Sequence, residues 1–288
     1  MPKFWFGPAG KPIGLKSMDV TEAPAFIRRI GLNAMEYEAV RGINISDEKA
    51  RILGEASRSQ GVKFSLHAPY YINLAGREQV VNSSIERLTA SVRISSVMGA
   101  YIVVFHPGYY RDAPSKRGAV EKIIRNLSRV VEYRDQHGFK DVWLGPETSG
   151  KISQVGDLVE VIEISSAFKG VRPVIDFAHL YARYMGRFVR SKEDIVKIVD
   201  TIEKKLGREH LNPLHTHFSK IEFNRGGEKE HHALGEEKYG PDFRIVCEAL
   251  CEVGVDTVVI SESPLLEEDS LIMKNTCIEV CGEGCVVE

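Results

Sequence analysis

Short apolar runs with strand-like alternation take turns along this chain with longer stretches in which apolar residues recur every three to four positions. The runs are Lys3 to Gly7, Ala34 to Val40, Lys63 to His67, Tyr101 to His106, Val142 to Glu147, Val171 to Asp176, Leu214 to Phe218 and Thr257 to Glu262. Helical spacing fills the intervals at Ala23 to Ile30, Asp47 to Gln60, Val80 to Met98, Ala119 to Gln136, Gln154 to Ser165, Asp194 to Lys205, Phe243 to Glu252 and Glu267 to Glu279. Ser46, Asp47 and Glu48 supply a helix start, and glycines at 31, 61, 99, 138, 170 and 254 mark helix ends a few residues before each next strand. Eight strand–helix units joined by right-handed crossovers close most naturally into a (β/α)8 TIM barrel. An open doubly wound sheet is the alternative, but no G-x-G-x-x-G follows the first strand; Gly7 to Gly10 reads as a strand-ending turn.

At 288 residues with 43% hydrophobic side chains, the chain can bury the core of one such barrel, and no second domain is expected. Its longest apolar runs fall far below the ~20 residues of a membrane helix, and its first residues lack the pattern of a secretory signal. A cytoplasmic protein is expected.

Chemistry concentrates where strands end. His67, His106, Glu147, Asp176, His217 and Glu262 each close an apolar run. Residues at the carboxyl ends of parallel barrel strands converge on one mouth, the place where such barrels put their active sites. Imidazoles and carboxylates are ligands for divalent cations, so this pattern predicts a multinuclear metal site. Pro69 and Pro107 force turns directly after two of the histidines. In D-F-A-H, Asp176 and His179 share one side if the chain turns helical after the strand. In LHTHFS, His215 and His217 both face the lumen; His217 lies nearer the mouth as a ligand, and His215 packs deeper or backs another ligand. The segment that follows, with Glu228, Glu230, His231 and His232, is long for a strand-to-helix connection.

The formal net charge of −2 does not point to nucleic acid, but its distribution is uneven. Arg111 with Tyr109 and Tyr110 follows His106, and Arg183 with Tyr181 and Tyr184 follows His179, mixtures suited to a phosphate backbone and unstacked bases. The five cysteines lie only near the carboxyl end, odd in number and without a C-x-x-C pair. They read as small hydrophobes with no disulfide framework.

Taken in order, H-A-P-Y-x-I-N-L at 67, F-H-P-G at 105, E-T-S-G at 147, D-F-A-H at 176, H-F-S at 217, H-H-A-L-G-E at 231 and E-S-P at 262 resemble the endonuclease IV family of apurinic/apyrimidinic endonucleases, within the xylose-isomerase-like barrel group. The resemblance implies two to three divalent ions, zinc above all and manganese as an alternative. His67 and His106 would hold one ion, and Glu147 would bridge to a second bound by Asp176, His217 and Glu262. His179 and His231 would hold a third with an aspartate two residues before the latter. That position is Lys229 here, which leaves Glu228 or Glu230 to substitute, Glu228 being the expected ligand.

Glu147 and Glu262 would be the catalytic carboxylates, and Tyr70, Arg41, Arg111 and Arg183 the DNA contacts. The implied reaction is hydrolysis of the phosphodiester 5′ to an abasic site during base excision repair, leaving a 3′ hydroxyl, by a monomer that needs no protein partner. The rival is a metal-dependent sugar isomerase or epimerase on the same barrel, which would bind one or two ions chiefly through carboxylates.

Overall fold

The computed structural model describes residues 1–17 and 19–287. Its central strands are β1 (Phe4–Pro8), β2 (Ala34–Glu38), β3 (Lys63–His67), β4 (Ile102–Phe105), β5 (Trp143–Pro146), β6 (Val174–Asp176), β7 (Leu214–Phe218) and β8 (Thr257–Ser261). All pair in parallel, as β2-β3-β4-β5 and as β1-β8-β7-β6. Single bridges, Ala9 to Glu36 at one seam and Leu144 to Val171 and Glu147 to Val174 at the other, close the two sheets into one cylinder. The expected strands thus form the expected barrel, with ends shifted by at most three residues.

Helices α1 (Ala23–Arg29), α2 (Asp47–Ser59), α3 (Glu78–Met98), α4 (Lys116–Gln136), α5 (Leu158–Ser166), α6 (Phe177–Arg183), α7 (Lys192–Leu206), α8 (Phe243–Val253) and α9 (Glu267–Cys281) alternate with the strands. Their ends follow local chemistry. The Ser46 hydroxyl accepts from the Lys49 amide, Asp157 and Glu160 form a capping box, and Gly99 ends α3 at φ 71°, where a Cβ would be strained. Between strands and helices lies an apolar core that includes the fully buried Phe4, Phe6, Phe105 and Phe218. No helix among the described residues is long and apolar enough to cross a membrane.

Two features depart from expectation. The long segment after β7 is a β-hairpin, Lys220–Asn224 paired with Gly227–His232, which packs Ile221 and Phe223 against Ala178, Ala182 and Tyr181 of α6. The cysteines are also more than isolated hydrophobes: disulfides join Cys247 to Cys277 and Cys251 to Cys281, and Cys285 stays free and buried. The reason is that α8 and α9 lie side by side and each carries cysteines four residues apart. Both rungs then meet at Cα separations of 5.7 and 6.1 Å, inside the range a disulfide spans.

Candidate metal centre

Glu147 lies at the middle of the mouth. It follows Pro146 at the end of β5, and its side chain is fully buried among histidines from four other segments. Oε2 stands 3.3 Å from His67 Nε2 and 3.5 Å from His106 Nε2. Oε1 stands 3.3 Å from His179 Nδ1 and 3.0 Å from His217 Nδ1. One carboxylate therefore faces both halves of the barrel, the disposition needed to bridge two cations.

Backbone contacts fix which histidine nitrogens are free. A carbonyl can only accept, so His67 Nδ1, 2.8 Å from the Ala68 carbonyl, carries the proton and leaves Nε2 open toward Glu147. His179 Nδ1 donates likewise to the Thr148 carbonyl at 2.9 Å, which opens Nε2 toward Glu228 Oε2 at 3.4 Å. His179 Nδ1 also comes within 3.4 Å of Asp176, but this nitrogen is already committed. The remaining donor to the set of Glu147, Asp176 and Glu262 is His217 Nδ1, 3.1 Å from Glu262 Oε1. Asp176 closes β6 and caps α6 by accepting from the His179 amide at 2.7 Å, which explains the three-residue spacing of D-F-A-H.

Three sets of potential ligand atoms result. His67, His106 and Glu147 form one; Glu147, Asp176 and Glu262 with His179 form the second, with His217 Nδ1 also close to Glu147 and Glu262; His179, Glu228 and His231 form the third. The third depends on a β-bulge in the hairpin. Glu222 pairs with Glu230 and Phe223 with Glu228, so Lys229 has no counterpart, and the extra residue brings Glu228 onto the same face as His231. Lys229 instead pairs outward with Glu222 at 2.8 Å, while Glu230 groups with Glu222 and His232 away from the mouth. Gly150 makes room for this arrangement, because a Cβ there would lie 2.6 Å from the Glu228 side chain and 3.2 Å from the His179 ring. Glu228 is thus the hairpin carboxylate beside His179 and His231, and Glu230 lies with Glu222 and His232.

The electrostatics fit cations. Burial alone would raise the Glu147 carboxyl, but His106 and His217 overcome it and hold the group well below the ordinary range. Burial, reinforced by Glu262 and Glu147, pushes Asp176 up to about 7 against the opposing pull of His179, and burial takes His106 down to about 4. Asp176 Oδ2 is buried without a hydrogen-bond partner. Such a collection of interior carboxylates and imidazoles is costly without a compensating positive charge, which is what divalent ions supply. The mixed nitrogen and oxygen donors suit zinc, manganese or iron alike.

A cavity of about 610 Å³ opens above these residues, lined also by Glu38, Tyr70, Tyr109 and Lys151. Tyr70 is half exposed with its ring 5.9 Å from that of His67. Arg41 is exposed on the loop after β2, and Arg111 is exposed beside Tyr109. Arg183 differs from expectation: its side chain is only 7% accessible and is spent on the carbonyls of Ser149, Lys151 and Gln154 and the Tyr110 hydroxyl. It clamps the loop after Glu147.

The strand-end pattern misses Glu36 and Glu38. Both point inward from β2, at alternate positions in AMEYE, and the alternation of a strand is the signal that could have found them. Glu36 is fully buried beside His215 and His217, and burial raises Glu38 to about 8 despite the opposing pull of His67.

A family model for xylose isomerase-like TIM barrels matches residues 24–274. An uncharacterized protein of Methanocaldococcus jannaschii is 36% identical over 93% of this chain and 94% of its own length. A probable endonuclease 4 of Aquifex aeolicus is 28% identical over 58% of this chain and 58% of its length. Among solved structures, a D-tagatose 3-epimerase-like protein superposes with TM-score 0.70 at 21% identity, covering 96% of this chain and 99% of that one. Endonuclease IV from Thermus thermophilus gives TM-score 0.69 at 20% identity, covering 96% and 100%.

Proposed function

Since the chain belongs to the xylose isomerase-like TIM barrel family, whose matched members and neighbours include both nucleases and sugar epimerases, we propose that the mouth of this barrel is a multinuclear metal site that hydrolyses the phosphodiester 5′ to an abasic site in DNA. The observation that carries this reading is the placement of five histidines, 67, 106, 179, 217 and 231, around the shared carboxylate Glu147 and its neighbours Asp176, Glu228 and Glu262. An epimerase working with one ion has no use for the histidine-rich outer sets.

In this reading His67, His106 and Glu147 hold one ion, Glu147, Asp176, His217 and Glu262 a second, and His179, Glu228 and His231 a third. Bound there, divalent ions would neutralise phosphate charge and make water acidic enough to serve as nucleophile at neutral pH. The protein's own part is orientation. The Ala68 and Thr148 carbonyls hold His67 and His179 in one tautomer, and the Arg183 clamp and Gly150 hold the loop against which Glu228 rests. Tyr70 and Arg111 flank the opening, where they would contact the sugar–phosphate backbone and position it over the site. Glu147 and Glu262 need not act as nucleophiles, since their oxygens would hold the ions.

The second reading, a ketose epimerase, is favoured by Glu38, a carboxyl that lines the cavity and that burial raises to about 8, in the range where a group can exchange a proton with a sugar near neutral pH. One experiment separates the two. Zinc- or manganese-loaded protein is incubated with a labelled duplex holding a tetrahydrofuran abasic analogue and, in parallel, with ketoses in deuterated water. Incision 5′ to the lesion with a 3′ hydroxyl is expected; deuterium entering a ketose with an intact duplex would overturn the proposal.

A further inference from the structure

Far from the mouth, the seam between α8 and α9 gathers four sulfur atoms. Cys247 and Cys251 on α8 are one helical turn apart, as are Cys277 and Cys281 on α9, so each helix turns both of its cysteines to one face. The pairing of Cys247 with Cys277 and of Cys251 with Cys281 shows that the two helices run in the same direction. The rungs also approach each other, since Cys247 Sγ and Cys281 Sγ stand 4.0 Å apart. Cys247 and Cys277 are fully buried, whereas Cys251 and Cys281 are partly exposed at the edge of the seam. A disulfide stabilises mainly by closing a loop in the unfolded chain, and the first rung already spans 30 residues. The second joins the same helices one turn further on, so the loop it adds is shorter and restricts the chain less. What the second pair supplies that one rung cannot is a fourfold set of donors.

We propose that Cys247, Cys251, Cys277 and Cys281, once reduced, form a tetrathiolate site for one zinc-class divalent cation, so that this seam exchanges two disulfides for one ion. A tetrahedral ion with metal–sulfur bonds of about 2.3 Å holds its sulfurs about 3.8 Å from one another. The Cys247–Cys281 separation of 4.0 Å already matches that edge. Sulfur donors in a tetrahedral set select zinc over harder cations, and the seam is too tight for the wider spacing of an iron–sulfur cluster. Cys285 stands outside the set, its thiol donating to the Cys277 carbonyl at 3.5 Å. A dithiol reductant supplies the change: one molecule per rung is oxidised to its own disulfide and passes two electrons and two protons to that rung, whose S–S bond breaks to give two thiols. The ion then displaces the thiol protons to solvent as its bonds to sulfur form. Hydrogen peroxide reverses the exchange. Each pair of thiolates gives up two electrons to one peroxide, which takes up two protons and leaves as water; the S–S bond reforms and the ion is released.

The candidate ligands at the mouth include no sulfur, so thiolate spectra separate the two places. Intact protein is reduced under anaerobic conditions, freed of reductant and titrated with cobalt(II) as the spectroscopic counterpart of zinc. An intense thiolate-to-cobalt charge-transfer absorption is expected, saturating at one cobalt per chain, bleached by zinc and lost on adding peroxide. Cys251→Ala and Cys281→Ala should each lose the tetrathiolate signature, and Cys285→Ser should keep it. Zinc-edge absorption of the reduced wild type needs no variant and should show sulfur neighbours at about 2.3 Å. A reduced, folded protein with no charge-transfer band and only nitrogen and oxygen around zinc overturns the proposal. So does a signature that survives in Cys251→Ala and Cys281→Ala or disappears in Cys285→Ser. Unfolding on reduction, followed by circular dichroism, also overturns it, because the cysteines would then be tethers alone.

Discussion

The candidate ligands of the mouth are positioned in two different ways. His67 and Asp176 close barrel strands, His217 stands one residue before such an end, and His106, Glu147 and Glu262 follow such ends directly; parallel register holds them, for example Asp176 opposite His217 and Glu38 opposite His67. Glu228 and His231 ride on a hairpin outside the barrel sheet, packed on α6 and tied to a neighbouring loop by the Glu228 amide donating to the Gly150 carbonyl at 3.1 Å. Strand ends cannot move without unpairing the cylinder. A hairpin can gain or lose a residue, and here a bulge decides which of its carboxylates faces inward. The first and second ligand sets are therefore built into the fold, whereas the third is an attachment that a small local change can alter.

The largest effect is expected from Glu147→Gln, which weakens the carboxylate shared by both halves. Turnover should fall by more than about 100-fold, beyond the range for partners outside the metal's own ligands, with loss of bound metal measured by elemental analysis. A variant retaining its metal and rate would remove Glu147 from the centre. Removing the hairpin carboxylate is the sharpest test of the contrast between strand and hairpin. Glu228→Ala takes away the carboxylate that stands beside His179 and His231, so the ion expected there should be lost while the other ions remain. Equal loss of all ions would show that the hairpin also supports the strand-borne sets.

Acidity should act on the strand-borne set. Asp176 titrates near 7 in the folded metal-free protein, so below that value an ion must displace its proton, and affinity should fall by up to tenfold per pH unit. The sign for stability is opposite: a carboxyl raised from 3.8 to about 7 disfavours the metal-free fold as pH climbs through that interval. Glu228, held below its ordinary value by His179 and His231 against the effect of burial, adds no carboxyl titration in this range. Isothermal titration with zinc at pH 5.5 and 7.5 tests the first statement, and an affinity flat between them would refute it. Arg183→Met should lower thermal stability by about 1–3 kcal/mol, since it strands several loop carbonyls, and a variant with unchanged melting but weaker DNA binding would restore the surface role. The smallest effect is expected from Lys229→Ala, which removes only a solvent-screened exposed pair with Glu222 and keeps the bulge, so melting and metal content should stay as in the wild type.

This comparison also explains what could be read from the sequence. Strand ends were legible because barrel geometry converts a one-dimensional pattern, an apolar run closed by His, Asp or Glu, into convergence at one mouth. Glu36 and Glu38 were hidden in AMEYE because Met35 and Tyr37 make the segment look like ordinary strand core. The hairpin residues KIEFNRGGEKEHH lack a clear apolar alternation, and nothing local distinguishes Lys229 as an unpaired residue. Arg183 shows the limit of composition: arginine among tyrosines looks the same whether it faces DNA or four oxygens of its own chain. The cysteine rungs arise from two helices 30 residues apart, and each helix alone reveals only half of the pattern.

Anomalous diffraction at the zinc edge from crystals of the zinc-loaded protein tests the central claim most directly. Ions are predicted about 2.0–2.2 Å from His67 Nε2 and His106 Nε2, from His217 Nδ1, and from His179 Nε2, with Glu147 shared between the first two. Peaks absent from this mouth, or ions bound only at other surfaces while the six strand-end side chains stay bare, would contradict it.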